Sequence, residues 1–284
     1  MCVSMVAAIV IYNKKVADSI TCKCLADATN NLTGYSLEIL IIDNSTSDYK
    51  NKEYCDSHKI HYISMDGNKG LSKAYNAAID ASGEKDVIIL FDDDTEVTEE
   101  YFDTLNTDLI LHPEIDIFAP IIYGQDGVIY SPNEYNFLKS RYIKSPTQEI
   151  PQDKFNAIAS CLAIRMRVFN NYRFNEKLFV DQVDQNFLFD QRRKNAQFMK
   201  INVCIQQNFY QRGRSLAPEA GWKRLKIRII DIMRQTRLMG GFKIRILGFA
   251  KCCALGVQIG RKSRSLVIPL KAVRLAFSCV IFDK

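Results

Sequence analysis

Short apolar runs and amphipathic segments alternate along the first 210 residues of the chain. The apolar runs are rich in β-branched residues and too short for helices, and they predict strands at residues 6–13, 37–42, 59–65, 87–91 and 115–122. Apolar residues with helical spacing predict helices at residues 14–30, 71–79, 98–111 and 185–193. Further strand-like segments lie at residues 156–165 and 201–205. Because such alternation is typical of parallel sheets with helices on both faces, we expect an α/β fold.

Polar residues stand at the ends of three of these predicted strands. They are Asn13, Asp43 and the acidic run Asp92-Asp93-Asp94. Right-handed crossovers bring the carboxyl ends of parallel strands to one edge of a sheet, and open α/β sheets bind their ligands at that edge. The sequence therefore predicts a crevice of nucleotide size, lined by polar side chains from three strands.

The acidic run after residue 91 allows two interpretations. Unpaired carboxylates are costly inside a protein, so these three must lie where the strand emerges from the core. Asp92 and Asp94 share one face of an extended chain, and their oxygens suit a hard cation such as Mg²⁺ or Mn²⁺. Alternatively, Asp94 or Thr95 caps the helix that begins near Glu99. The strand and its acids alone leave both interpretations open.

Composition narrows the classes of protein that fit. With 284 residues, of which 47% are hydrophobic, the chain can bury the core of one sizeable domain and an appendage. The nine cysteines are odd in number and include no C-x-x-C pair, which excludes the usual zinc spacing and argues against a disulfide framework. The N-terminal residues do not resemble a signal peptide. We therefore expect a protein of the reducing cytosol.

Charge divides the chain into two parts, a sheet body (residues 1–215) and a basic tail (residues 216–284). Residues 221–284 contain fifteen lysines and arginines against two aspartates, a net charge of +13, so that the first 220 residues carry −7 of the chain's total of +6. No apolar run in the tail approaches the roughly 18 residues that cross a bilayer. Basic amphipathic helices lie on anionic membranes, and a helical hairpin that covers the sheet is the alternative. No nucleic-acid reader motif accompanies the charge, so we expect a membrane-surface partner and no nucleic acid.

Four motifs of the sheet body, taken together, resemble those of one enzyme family. They are Ile39-Leu40-Ile41-Ile42-Asp43-Asn44-Ser45, Asn68-Lys69-Gly70-Leu71 followed by Asn76, Asp92-Asp93-Asp94, and the run from Phe174 to Asp184. In this order they resemble the GT-A glycosyltransferases of family 2, and the last run is similar to the F-x-E-x-L-F-I-D-x-V-D run of the rhamnosyltransferase-like branch. The resemblance covers residues 5–210. It implies the fold of the nucleotide-diphospho-sugar transferases, a mainly parallel sheet flanked by helices, here with a basic helical C-terminal extension.

The resemblance also implies roles for individual residues. Its nucleotide-sugar site consists of Asn13, Asp43, Asn68, Gly70, Asp92 and Asp93, and its metal ligands for Mg²⁺ or Mn²⁺ are Asp92 and Asp94. Asp184 is implied to be the catalytic base, with Asp181 and Ser160 as acceptor-site or supporting residues. Structural roles compete at three of these positions, a simple turn at Asn13, an Asx turn at Asp43 and an acidic helix start at Asp184.

The chain departs from the family pattern near the metal and the acceptor. Many relatives carry a histidine that completes the metal shell, where this chain has Gln206, Gln207 and Asn208. Its absence puts the choice between Mn²⁺ and Mg²⁺ in question. Ser160-Cys161 replaces a smaller Ser-Gly pair of the relatives, so we expect a narrower acceptor pocket.

The function implied is inverting, metal-dependent transfer of a sugar from a nucleotide diphosphate sugar to a cell-surface polysaccharide, as in capsule or lipopolysaccharide, or to a lipid-linked acceptor. The enzyme is expected in the cytoplasm, peripheral at the inner face of the cell membrane. Arg165 and Arg167 either assist an anionic substrate or lie on the surface. One alternative is a nucleotidyltransferase, although residues 6–13 lack its Gly-rich phosphate loop. Another is a non-catalytic nucleotide-sugar-binding or scaffold protein at the membrane.

Overall fold

Strands and helices alternate through the first half of the computed structural model, which describes residues 2–28, 34–207 and 217–281. Within these residues the strands are Val3–Ile11 (β1), Tyr35–Asp43 (β2), His61–Ser64 (β3), Val87–Phe91 (β4), Ile117–Tyr123 (β5), Ile129–Ser131 (β6), Asn133–Glu134 (β7), Arg141–Tyr142 (β8), Phe155–Asn156 (β9), Leu162–Arg165 (β10) and Phe198–Gln206 (β11). The helices are Ile20–Ala28 (α1), Asn51–His58 (α2), Leu71–Ala81 (α3), Glu99–Leu111 (α4), Val183–Arg193 (α5), Pro218–Met239 (α6), Phe242–Lys262 (α7) and Val267–Ile281 (α8).

The main sheet is mostly parallel and has the strand order β11-β5-β10-β4-β1-β2-β3, with β6 beside β5. Strands β4, β1, β2 and β3 are parallel neighbours, and β11 is parallel to β5. This arrangement confirms the predicted α/β fold. Strand β10 runs antiparallel between β4 and β5, a direction that the sequence pattern did not indicate. A smaller sheet, β8-β7-β9, lies where the sequence predicted loops.

The register of the parallel strands brings three strand ends together. Ile11 at the end of β1 is paired with Asp43 at the end of β2, and Ile9 is paired with Phe91 at the end of β4. The chain segments that follow these strands therefore leave the sheet at one edge. The crevice that the sequence predicts would lie at this carboxyl edge.

Strand β4 is buried along its whole length because helices cover both faces of the sheet. Ile88 and Leu90 belong to the core on one face, together with Tyr75 of α3. Ile89 and Phe91 belong to the core on the other face. The charged residues that follow β4 begin where the strand leaves these two cores.

Two helices differ from the sequence prediction. The predicted helix at residues 14–30 is divided into a short 3-10 turn at residues 16–18 and α1. The Ser19 hydroxyl accepts a hydrogen bond from the Cys22 backbone N–H, and this N-cap fixes the start of α1 at Ile20. Residues 29–33, which include most of the predicted turn before β2, lie outside the described residues. Helix α2 was not predicted, because its sequence is largely polar and carries little helical periodicity.

The described part of the basic tail forms a bundle of α6, α7 and α8 with its own apolar core. Small residues bring the helices close together: a Cβ built on Gly256 of α7 would lie 2.5 Å from the Cβ of Ala272 on α8. Among the described residues, no helix has the length and apolar character needed to cross a membrane. The predicted domain boundary at residue 215 lies outside the described residues, so the division into two domains stays a prediction.

Candidate active site

The first and last carboxylates of the acidic run after β4 share one neighbour, the side-chain amide of Gln207. Ser160 donates a hydrogen bond from its hydroxyl to the Asp92 carboxylate at 2.9 Å. The side-chain amide of Gln207 lies 3.4 Å from Asp92 Oδ2 and 3.5 Å from Asp94 Oδ1. Both carboxylates therefore face one small polar space, as the spacing of Asp92 and Asp94 predicts. Ser160 thus contacts Asp92 directly, and its role as an acceptor-site or supporting residue stays a prediction.

Buried hydroxyl groups of α1 hold the backbone of the acidic run in place. Ser19 donates to the Asp93 carbonyl oxygen at 2.9 Å, and the Thr21 hydroxyl lies 2.6 Å from the Asp92 carbonyl oxygen. The Thr95 backbone N–H donates to the Thr21 hydroxyl at 2.9 Å. These bonds fix the direction in which the neighbouring carboxylates point.

Helix α4 begins after Thr98, so the capping interpretation of the acidic run is wrong. The N-cap residue is Thr98, and neither Asp94 nor Thr95 occupies that position. Thr95 is fully buried and contacts Ser160 through its hydroxyl at 3.1 Å. The carboxylate of Asp94 is thus available to the crevice.

The electrostatics of the acidic run favour a bound cation. Burial raises the pKa of both Asp92 and Asp94, and neighbouring negative charges raise each further. The ammonium group of Lys14 pairs with Asp93 at 2.6 Å. Clustered carboxylates whose charges repel one another gain from any positive charge placed between them.

Gln207 occupies the remaining side of this acidic space. It is 5% exposed, and a single bridge pairs its backbone with that of Thr95. Its Nε2 faces the acids, whereas its Oε1 is buried with no hydrogen-bond partner in the described part of the chain. Of the three amides that the sequence offers here, Gln206 is exposed and Asn208 lies outside the described residues. Sequence reasoning named Gln207 without a role, because only the pairing of residues far apart in the chain places it at the acids.

The described residues contain no group of three or more histidine, cysteine, aspartate or glutamate side chains arranged to hold a metal ion. The carboxylates of Asp92 and Asp94 are nevertheless hard oxygen donors, and the amide oxygen of Gln207 would join them if the amide turned over. Such donors are the ligands that Mg²⁺ and Mn²⁺ prefer, completed in most sites by substrate phosphates and water. The chemistry of these three side chains therefore fits a divalent cation.

The ends of β1 and β2 are joined by side chains of the nucleotide-site candidates. Asn13, in the left-handed region with a φ of 49°, accepts hydrogen bonds from the backbone N–H and the hydroxyl of Thr46. Asp43 is 7% exposed and accepts bonds from the Ser45 N–H, the Asn51 amide and the Tyr62 hydroxyl. These bonds match the structural alternative for Asp43, a turn that leads into α2. Its contact with a nucleotide base stays a prediction.

The loop before α3 packs against the segment that precedes α5. Asn68 Oδ1 accepts a hydrogen bond from the Gly70 N–H at 3.1 Å, and Gly70 has a φ of +92°. A Cβ at Gly70 would lie 2.6 Å from the Phe179 ring and 2.8 Å from the Phe179 carbonyl oxygen. Only glycine fits both the backbone conformation and this close approach.

Asp184 lies in the first turn of α5, close enough to Asp92 for the two negative charges to interact. Burial raises the pKa of the Asp184 carboxyl to about 6, and the negative charges of Asp92 and Asp181 add to the increase. The predicted helix start is therefore correct, but this acid is no solvated surface group. Its environment tunes the carboxyl to exchange protons near neutral pH.

Tyr75 is close enough to Asp92 and Asp184 for both negative charges to act on its hydroxyl. Its side chain is fully buried, and its hydroxyl has no hydrogen-bond partner among the described residues. Burial raises the pKa of Tyr75, and the negative charges of Asp92 and Asp184 raise it further. The hydroxyl thus lies in the field of both carboxylates. In the sequence, Tyr75 is only an apolar position of α3, and no local signal distinguishes it from a core residue.

Asp181 is turned towards the basic tail. It forms an ion pair with Arg224 and lies 3.8 Å from Arg228, both on α6. Its charge still raises the pKa of Asp184, as expected. Its role is therefore to support the segment before Asp184 from the side of the tail.

Arg165 and Arg167 do not belong to this site. Arg165 is paired with Val87 at the opposite end of β4, and its guanidinium group donates to carbonyl oxygens of residues 109, 112 and 115. Arg167 forms an ion pair with Asp116. The expectation that they assist a substrate at the carboxyl edge is corrected, because both stabilise the end of α4 and the loop that follows it.

Comparisons with known proteins bear on the family and the fold of the chain. A curated relative, the dTDP-rhamnosyl transferase RfbF of Shigella flexneri, is 27% identical over 184 residues, which are 63% of this chain. The chain spans 60% of the length of that relative.

Solved structures share the fold at low sequence identity. They include S. aureus TarS 1–349 in complex with UDP, with a TM-score of 0.53 and 13% identity over 97% of this chain and 90% of that one. GalNAc-T7 with UDP, GalNAc and Mn²⁺ gives a TM-score of 0.60 and 11% identity over 98% of this chain and 57% of that one. The mannosyltransferase PcManGT of Pyrobaculum calidifontis with GDP-Man and Mn²⁺ gives a TM-score of 0.55 and 12% identity over 98% of this chain and 74% of that one. The fold is that of the GT-A glycosyltransferases.

A family model described as glycosyl transferase family 2 matches residues 7–173, which are more than half of the chain. Its match includes the ends of β1, β2 and β4, where the candidate nucleotide and metal residues converge. The chain belongs to glycosyl transferase family 2.

Proposed function

We propose that this protein is an inverting, metal-dependent glycosyltransferase that uses a nucleotide diphosphate sugar. The observation that carries the proposal is that Asp92 and Asp94 share the Gln207 amide at the end of β4, while the negative charges of Asp92 and Asp184 act on each other's surroundings and on the buried hydroxyl of Tyr75. Two kinds of acid with different environments suit two different tasks, cation binding and proton transfer.

The donor nucleotide would lie across the ends of β1, β2 and β4. Asn13, Asp43, Asn68 and Gly70 would shape the pocket for the base and ribose, and Asp93 with its partner Lys14 would lie beside the phosphates. TarS has been solved in complex with UDP, and PcManGT in complex with GDP-Man. RfbF is a dTDP-rhamnosyl transferase, which makes a deoxyhexose such as rhamnose the first donor to test.

Asp92 and Asp94 would hold a divalent cation, Mg²⁺ or Mn²⁺, with the Gln207 amide as a third ligand. Its unpartnered Oε1 becomes a ligand if the amide turns over, and a cation between the acids is what would favour that orientation. When bound, such a cation supplies stabilisation for the negative charge of a leaving diphosphate. The buried surroundings of Asp92 strengthen this electrostatic effect, because water screens it less.

Asp184 would act as the general base. Its carboxylate takes the proton from the acceptor hydroxyl while the acceptor oxygen bonds to the anomeric carbon and the bond from that carbon to the phosphate oxygen breaks. A carboxyl with a pKa of about 6 is largely ionised at neutral pH and is still a stronger base than an ordinary aspartate. One base without a covalent intermediate inverts the anomeric centre.

The proposed acceptor is a growing cell-surface polysaccharide or a lipid-linked glycan, met at the inner face of an anionic membrane. Helices α7 and α8 and the connection between them expose large apolar side chains, among them Phe242 at 78%, Leu266 at 90% and Leu270 at 72%. Exposed basic residues lie between them, including Lys243 and Arg274. Apolar and basic residues on one surface are what an anionic membrane attracts.

Calorimetric titration tests the proposal, with UDP and dTDP each measured in Mn²⁺ and in EDTA. We expect one nucleotide to bind only with the metal, because its diphosphate and the acids repel each other otherwise. Binding of neither nucleotide to folded protein would contradict the donor site. A non-catalytic binding protein would pass this test, and the release of dTDP from dTDP-rhamnose would then separate it from an enzyme.

A further inference from the structure

Asp231 of α6 is a carboxylate that the proposed reaction does not use. Its side chain is fully buried. Its Oδ1 accepts a hydrogen bond from the Phe179 backbone N–H at 2.9 Å, and its Oδ2 accepts from the N–H groups of Val180 and Asp181 at 2.9 and 2.8 Å. A buried carboxylate is costly without donors, and here three consecutive amides supply them. Bonds of this kind to an ionised acceptor are stronger than those between neutral groups.

The same segment is held from its other side by the start of α3. The Ser72 hydroxyl donates to the Leu178 carbonyl oxygen, and the Leu71 N–H donates to that of Phe179. The absence of a side chain at Gly70 allows this approach. Residues 178–181 are therefore clamped between the donor-site loop and the basic tail.

The clamped segment leads directly to the proposed base. Gln182 follows in the left-handed region with a φ of 66°, α5 begins at Val183, and Asp184 is the next residue. No freely extended residues separate the clamp from Asp184. A displacement of residues 179–181 would consequently move the start of α5, and with it the carboxylate of the base.

We propose that Asp231 is a positioning residue for Asp184, so that helix α6 of the basic tail belongs to the reaction centre. This inference rests on the proposed function, because it assigns the task of Asp231 through the base. Arg224 and Arg228 assist by pairing with Asp181 from the same helix. The tail then has two surfaces: α6 completes the site, and α7 and α8 face outward.

The test compares Asp231→Asn with Glu219→Gln, an exposed acid in the first turn of the same helix. Asparagine keeps the shape of the side chain, but its amide NH₂ group replaces one of the two oxygens that accept from the three N–H donors. We expect turnover of dTDP-rhamnose, with water as acceptor, to fall by at least about tenfold, because a base misplaced by 1 Å loses rate steeply. Binding of dTDP with Mn²⁺ should stay within about twofold, since donor contacts are untouched. Glu219→Gln should change neither quantity.

Amide hydrogen exchange supplies a readout that does not depend on activity. In Asp231→Asn, exchange at residues 179–181 should accelerate relative to the wild type, while amides of β4 stay protected. Faster exchange with unchanged turnover would overturn the positioning role. Unchanged exchange would overturn the clamp itself.

The wild-type protein gives a further test if Asp231→Asn fails to fold. Amides 179–181 should then exchange as slowly as the buried face of α6, because they are freed only when that helix detaches. Rapid exchange at these amides in the wild type would overturn the proposal. If the wild type neither binds nucleotide nor turns over the donor, the proposed function is rejected. Amide hydrogen exchange at residues 179–181 would then still test the clamp.

Discussion

Asp92 of the sheet body is partly buried and Asp231 of the basic tail is fully buried, and the two carboxylates have different neighbours. Asp92 lies among other carboxylates, where burial and like charge raise its pKa. Asp231 lies among three backbone N–H donors. Burial raises the pKa of both carboxyls, but Asp92 has two donors and two neighbouring carboxylates, which suits a cation, whereas three backbone N–H donors satisfy Asp231 and hold the segment before α5. The partners of a buried carboxylate, and not its burial, distinguish a reactive group from a supporting one.

The largest expected effect separates chemistry from binding within the sheet body. Asp184→Asn should lower turnover of dTDP-rhamnose by about 10²–10⁴-fold, the usual contribution of a general base. Binding of dTDP with Mn²⁺ should be unchanged, because the donor site is intact. Kinetics and calorimetry on the same sample measure both quantities, with Asp108→Asn on α4 as the control. Normal turnover in Asp184→Asn would mean that Asp184 is not the general base.

The next effect concerns the cation. Replacing both Asp92 and Asp94 by asparagine should weaken dTDP binding in Mn²⁺ by about 100-fold, and should make the titrations with Mn²⁺ and EDTA identical. A loss of this size follows from removing two carboxylate ligands of one metal ion. Asp27→Asn combined with Asp108→Asn removes the same charge elsewhere and should leave the metal effect in place. A persisting difference between Mn²⁺ and EDTA in the first variant would exclude these acids as ligands.

A smaller effect is expected on the outward surface of the tail. Lys243→Gln with Arg274→Gln should weaken binding to phosphatidylserine vesicles by about 25-fold at low salt, since each basic residue contributes about 1 kcal/mol. Co-sedimentation measures the change, and Lys23→Gln with Lys59→Gln in the sheet body is the matched control. Equal losses in both variants would mean that only net charge matters. Turnover in solution should be normal in either.

The smallest effect is on thermal stability, and it again separates the two aspartates. The folded-state pKa of Asp184 is raised to about 6, so its carboxyl favours the folded state most at low pH and loses that contribution as the pH rises through about 6. Asp184→Asn should therefore raise the melting temperature by about 2–4 °C at pH 8 and by less at pH 5. Asp231→Asn should lower it at pH 8. Turnover of the wild type should increase with pH through about 6, as the base ionises.

Local patterns in the sequence were sufficient for most of the sheet and for the acids that follow β4. Val87–Phe91 is entirely apolar and ends in three carboxylates, so both the strand and its exit from the core follow from adjacent residues. The position of Asp184 at the start of a helix also followed from its neighbours. Short-range periodicity and desolvation cost are enough for such features.

Features that depend on distant pairing were not predictable in this way. Gln207 meets Asp92 across more than a hundred residues, and Asp231 meets Phe179 across fifty-two. Tyr75 has the spacing of a core residue, and only its three-dimensional surroundings show a hydroxyl between two acids. The antiparallel direction of β10 likewise depends on its neighbours and not on its own residues.

The order of Asp184 and Asp231 along the chain has a consequence for protein synthesis. Ribosomes make a chain from its N-terminus, and domains fold as they emerge. The sheet and its donor pocket precede the tail, but the amides of residues 179–181 have no acceptor until Asp231 has left the ribosome. A chain interrupted within α6 would hold a donor without a positioned base. If Asp231 positions Asp184 as proposed, turnover would therefore begin only in chains in which α6 has emerged and folded.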